Sequence, residues 1–138
     1  MSQNYANHKR YYPLFHFFII PLTALALGVA LYSCVIIQTP IAGLVFFAFF
    51  LILIIAIMAR TFALKAQDRA IHAEEKLRYY ILTGKAFPDG LKMGQILALR
   101  FASDEEYLAL VDKAVAHKLS PDEIKKAIKN WRGDYHRI

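Results

Sequence analysis

Residues 11–59 contain no Asp, Glu, Lys or Arg, although the chain of 138 residues has 17 basic and 11 acidic side chains. Inside this uncharged stretch lie two apolar runs. Leu14–Ile37 is 24 residues long and Ile41–Ala59 is 19, with Gln38-Thr39-Pro40 between them. A helix crossing a hydrocarbon core of about 30 Å needs about 20 residues, at about 1.5 Å each. Both runs meet that length. Three residues can close a tight turn, and Pro40 cannot continue the helix that precedes it. The pattern predicts a helical hairpin in a membrane.

The flanks set its direction. Lys9 and Arg10 precede the first run, and Arg60, Lys65 and Arg69 follow the second, whereas the turn has no charge. Basic residues beside spans stay in the cytoplasm. Both termini are therefore expected inside, in a multi-pass protein of the inner (cytoplasmic) membrane. Tyr11, Tyr12 and His16 fall where amphipathic rings favour the headgroup layer. Pro21 either kinks the first span or marks where it becomes regular. A lipoprotein signal ending at Cys34 fits poorly. Its apolar segment would exceed the usual 7–15 residues or so, and Tyr32 is bulky for a cleavage site.

A hydrophobic share of 57% excludes disorder, and a single Cys excludes a disulfide scaffold. Beyond Arg60 the chain changes character. No Gly or Pro interrupts it from Lys65 to Thr83, and Ala, Leu, Lys, Glu and Arg dominate. The second span is predicted to run on as one helix to Gly84, its C-terminal cap. Ala63, Ala66, Ala70, Ala73, Leu77 and Tyr80 form a heptad stripe that a partner helix could approach. Glu74 and Arg78 are expected to pair on the solvent side.

After a turn at Pro88-Asp89-Gly90, three short helices are predicted: Met93–Phe101, one opening at a Ser103–Glu106 capping box, and one opening at a Ser120–Glu123 box. The last is expected to carry Ile124, Ala127, Ile128, Trp131 and Tyr135 on one face. Trp131 should pack against Leu110, Val111 and Val115, or against the Ala70–Leu77 stripe, and tie the domain together. The fold class is thus all-α. A transmembrane hairpin, its second span continuing into a long cytoplasmic helix, is followed by a small bundle of short helices. The divisions are 1–13 (N-terminal tail), 14–59 (hairpin), 60–83 (juxtamembrane helix) and 84–138 (cytoplasmic helical domain).

Four segments resemble a family of small, uncharacterised bacterial membrane proteins defined as a domain of unknown function. They are Gln3–His8, Ala59–Ala70, Leu99–Glu106 and Ile124–Arg132, so the resemblance extends along the whole chain. It implies a class and carries over no activity or site.

No phosphate loop, His-Glu-x-x-His pair or nucleophile elbow occurs. His72 and Glu75 have ligand spacing, but a solvated polar face is the better reading among Lys76 and Arg78. No catalytic, cofactor or metal residues are expected. Neither span has an intramembrane acid or base beyond His16, which disfavours a self-contained transporter. Three sets remain as candidate interaction residues. Arg60, Lys65 and Arg69 either attract anionic lipid headgroups or only set topology. Ala24 and Gly28 form a small-xxx-small pair for helix packing, within the hairpin or between protomers. Lys125, Lys126, Lys129 and Arg132 form a candidate partner-binding face. The net charge of residues 60–138 is only +4, from 15 basic and 11 acidic residues, which argues against a nucleic-acid partner. The expected role is a non-enzymatic membrane scaffold or interaction protein in contact with the lipid bilayer, as a homo-oligomer or with another membrane protein. The alternatives are an auxiliary subunit of a transport complex and, after that, a membrane-tethered DNA-binding regulator.

Overall fold

The computed structural model describes residues 3–8 and 11–134. Lys9, Arg10 and Tyr135, on which parts of the topology and of the last helix's face were argued, lie outside the described residues. Contacts divide the chain into two units: Tyr11–Leu64, and Met1–Arg10 together with Lys65–Ile138.

In the first unit, helix α1 (Ile20–Ile37) is preceded by a π-helical turn, Leu14–Ile19. The Ile20 N–H donates to the Phe15 carbonyl. Pro21 explains the wider turn, because its ring crowds the preceding carbonyls and it has no N–H to give. Gln38 then adopts a left-handed conformation (φ 53°). Thr39 caps α2, its Oγ1 accepting from the Ala42 N–H at 3.2 Å. The hydroxyls of Thr23 and Ser33 donate to the carbonyls of Ile19 and Val29, one turn back. Polar side chains in an apolar helix are thereby satisfied within it.

Helix α2 (Pro40–Thr83) is unbroken over 44 residues, as the absence of breakers predicted. It ends at Gly84, whose φ of +66° makes the capping bond to the Tyr80 carbonyl at 2.8 Å. Both apolar helices are long and apolar enough to cross a membrane.

In the second unit, helices α3 (Met93–Leu99), α4 (Asp104–His117) and α5 (Pro121–Ala127) enclose a core whose fully buried side chains include Leu99, Phe101, Tyr107, Val111 and Ile124. Gln95 joins the elements. Its Oε1 accepts from the Lys92 N–H, and its Nε2 donates to the Leu119 carbonyl at 2.7 Å. Ser120 forms the expected reciprocal cap with Glu123. Two backbone N–H groups of that cap can then be satisfied at once.

Three expectations are corrected here. α3 stops at Leu99, two residues short. Ser103 occupies the cap position of α4 but makes no side-chain cap bond. Glu106, its expected partner, instead accepts from the backbone N–H groups of Lys129 (3.1 Å) and Asn130 (2.9 Å). Two backbone donors outcompete one in this position. The last helix ends at Ala127, because Ile128 is extended and the chain beyond pairs with the segment before α4. Ser103 N–H donates to Asn130, Arg132 N–H donates to Phe101, and Ala102 and Trp131 form an antiparallel bridge. Trp131 is thus on an extended segment, half-buried against Phe101 at 5.1 Å between ring centroids, and not on a helix face. The α2 face that packs in this unit is Ile71, Glu75, Arg78 and Tyr79, while the stripe residues Ala66, Ala70, Ala73, Leu77 and Tyr80 are exposed.

Candidate functional site

The most concentrated polar chemistry lies where α2 meets the start of α4. Arg78 is its centre, with a side chain only 10% exposed. Its Nε donates to Asp104 Oδ1 at 2.7 Å and one terminal nitrogen to the Ala102 carbonyl at 2.8 Å. The other donates to Glu75 Oε2 at 3.3 Å. The guanidinium carbon stands 4.1 Å from the centroid of the Tyr107 ring. A planar guanidinium is the one side chain that can serve a carboxylate, a carbonyl and an aromatic face together.

Glu75 was expected on a solvated face, and the structure buries it (6% exposed). Arg78 accordingly pairs with Glu75, one turn behind it, and Asp104, and not with Glu74 on the solvent side. Desolvation holds the Glu75 carboxyl above the ordinary range, against the pull of Arg78. The Tyr107 hydroxyl donates to the Glu75 backbone carbonyl at 3.1 Å. Burial first, and then the charge of Glu75, push that phenol far above its usual value, so it remains a donor.

Beside this cluster is a cleft of about 340 Å³ whose lining includes Gln67, Glu74, Glu75, Arg100, Arg132 and Asp134. Its charges are of both signs. Arg100 and Asp134 form an ion pair at 3.3 Å. Among the described residues no group of three His, Cys, Asp or Glu could hold a metal ion. The arrangement can bind and orient polar groups. Glu75, the acid most sheltered from water, is already committed to Arg78.

The candidate residues do not gather into one site. Lys125 and Lys126 close the last turn of α5, whereas Lys129 and Arg132 follow its end. Lys126 Nζ pairs with Asp122 at 2.7 Å, and Arg132 approaches Asp104 at 3.9 Å. No helical face carries all four, and no helix presents them to a nucleic-acid groove. Lys65 and Arg69 are exposed one turn apart on α2. Arg60 stands over the Phe15 ring at 5.7 Å. Ala24 and Gly28 are exposed, and nothing lies within 4 Å of where a Gly28 Cβ would be. The covered positions of α1 are Thr23 and Ala30, because the tight Gln38–Thr39 reversal decides which helix faces meet.

One element of the unit was missed entirely. Gln3–His8, read as part of a tail, packs on it. Asn4 closes a turn by accepting from the Ala6 and Asn7 N–H groups. The Tyr5 hydroxyl donates to Asp122 Oδ1 at 2.7 Å, and Gln3 Oε1 accepts from the Asp134 N–H at 2.8 Å. The His8 ring lies 5.9 Å from Phe101 and 5.8 Å from Trp131, with its Nε2 3.2 Å from Lys125 Nζ. Asp122 is held below the ordinary carboxylate range by its bonds to Lys126 and Tyr5. The available signal was Asn-Tyr-Ala-Asn-His itself, a turn-forming segment bearing two rings.

Neither the curated proteins nor the solved structures contain a match to this chain. A family model does match, from residue 1 to residue 138, and the chain belongs to that family of unknown function, DUF6526.

Proposed function

We propose that this chain is a non-enzymatic integral protein of the bacterial inner membrane, a scaffold or interaction protein with both termini in the cytoplasm. The carrying observation is the surface of the two apolar helices. Phe17 is 70% exposed, Ile41 72% and Leu44 70%, and only 6% of the apolar window of α2 is buried. A soluble protein does not leave such a surface in water, whereas a bilayer covers it. The basic residues Arg60, Lys65 and Arg69 support the direction of insertion. The polar groups of the second unit bind one another, which supports a structural role for that unit over a catalytic one.

The test uses the full chain in a Cys34→Ala background. The protein should remain with membranes after alkaline carbonate washing. In intact spheroplasts, Thr39→Cys should react with an impermeant thiol reagent, and Lys113→Cys should react only after lysis. Release by carbonate would overturn membrane insertion, and the reverse labelling would overturn the orientation.

A further inference from the structure

We infer that the exposed face of α2 from Ala66 to Ile81 pairs in parallel with the same face of a second copy of this chain. The inference rests on the membrane-anchored reading, which holds two copies side by side in the same direction. The helix has two faces of opposite fate. Ile71 and Glu75 are buried, and Arg78 is half-buried with its guanidinium bonded to Asp104 and Ala102. Ala66 is nine residues from Glu75, about two and a half turns, so it points the opposite way. Ala73 and Leu77, two residues on either side of Glu75, also point about 160° away. The face left outside is apolar: Leu77 and Tyr80 are each 58% exposed and Ile81 72%. Polar residues normally occupy the outer side of a helix that packs by only one face.

The occupant follows from spacing and charge. With Ala70 and Leu77 at a and Ala66, Ala73 and Tyr80 at d, Arg69 falls at g and Glu74 at e. In a parallel pair, a g residue meets the e residue five positions later on the partner, so Arg69 of each copy faces Glu74 of the other. Both side chains belong to exposed positions, and Arg78 turns to Glu75 and Asp104, away from Glu74. The same face thus supplies apolar contact and two symmetric ion pairs to itself. The alanines let the helices approach closely, and Leu77 and Tyr80 supply the area. The contact is about 24 Å long.

Cysteine cross-linking of the full chain in native membranes, with Cys34→Ala, tests this. Residues facing across the seam come within disulfide reach, about 4.4–6.8 Å between Cα atoms. Ala70→Cys and Leu77→Cys should each yield disulfide dimers under mild oxidation, and Lys65→Cys should not. Arg69→Glu should lower the Leu77→Cys dimer yield, and adding Glu74→Arg should restore it. Linking at only one of the two seam positions would overturn parallel pairing. Equal linking at Lys65→Cys, or a Leu77→Cys product containing a different protein, would overturn self-pairing. Each sample is first washed with carbonate: loss from the membrane there refutes the anchored reading, whereas retained but monomeric protein refutes only this inference.

Discussion

Arg78 and Tyr107 are stacked, guanidinium carbon to ring centroid 4.1 Å, while the same tyrosine's hydroxyl bonds the carbonyl of Glu75 one turn back from Arg78. The contact joins α2 to α4 through two residues that both hold Glu75, Arg78 at its carboxylate and Tyr107 at its backbone carbonyl. Arg78 is the cation that favours the charged form of Glu75 against the desolvation that opposes it.

Removing Arg78 should therefore be far worse than removing an ordinary surface arginine. Arg78→Ala leaves Glu75 buried without its partner and the Ala102 carbonyl without its donor. A cost of about 3–5 kcal/mol is expected. Arg78→Lys keeps the charge but not the fork, and should recover only part of it. Chemical denaturation of the detergent-solubilised protein, followed by circular dichroism, measures both. A loss below about 1 kcal/mol for Arg78→Ala would mean that the cluster is an exposed ion pair in practice.

Glu75 gives the second unit a pH dependence of definite sign. Its folded carboxyl is raised by burial, so the folded state holds the proton more tightly than the unfolded state. The associated stability is fully present below the ordinary carboxyl value and is lost as pH rises through the raised one. Asp122 and Glu123 are lowered and act in the opposite sense, as pH falls below the usual carboxylate range. Glu75→Gln should flatten the loss on the alkaline side and stay within about 1 kcal/mol of the parent at pH 7, since the amide still accepts from Arg78. Midpoints of thermal unfolding across pH 4–8 would check it. An unchanged slope in the variant would assign the dependence to other groups.

The two serine caps, alike in sequence, should respond oppositely to truncation. Ser120→Ala removes a bond to the Glu123 N–H at 3.3 Å and should cost about 1 kcal/mol. The Ser103 hydroxyl is buried with no hydrogen-bond partner, so Ser103→Ala should cost nothing or stabilise slightly. Glu106→Ala should be the damaging change at that end, because it frees the Lys129 and Asn130 N–H groups. If Ser103→Ala cost as much as Ser120→Ala, a cap bond at α4 would have to form.

These pairs also show what was legible beforehand. The apolar runs, the long α2, its Gly84 end and the Ser120 cap depend on neighbours in sequence, and local chemistry predicts them. The Glu106 bonds, the end of α5 and the burial of Glu75 depend on residues more than 20 positions away. The heptad stripe is apolar as its spacing indicated, and its residues from Ala66 to Tyr80 are exposed, while the unit packs on the Ile71–Glu75 side of α2. Periodicity reports which residues share a face and not what will cover it. For the site, residue types suggested a basic face at Lys125–Arg132, but the helix ends midway through it. The Arg78–Tyr107–Glu75 cluster has no spacing signature, since Tyr107 comes from another helix.

The N-terminal segment makes the last prediction, because it sits on the only Trp of the chain. Trp131 is half-buried, with Phe101 on one side and His8 on another, and its backbone is bridged to Ala102. His8→Ala should open one side of the indole and remove the contact to Lys125 of α5, while the core between α3, α4 and α5 stays packed. Trp131 emission should then shift to the red and become easier to quench with acrylamide, while the helical signal stays constant. Tyr5→Phe, which removes the 2.7 Å bond to Asp122, should produce a smaller shift in the same direction. Trp131→Ala should cost about 2 kcal/mol, less than the 3–5 kcal/mol of a fully buried aromatic, because the ring is partly open and is not the anchor of a helix. Protease resistance of α3–α5 should survive that substitution, since the core residues Leu99, Tyr107, Val111 and Ile124 remain packed. An emission spectrum identical in the parent and His8→Ala would show that residues 3–8 do not cover the indole in solution.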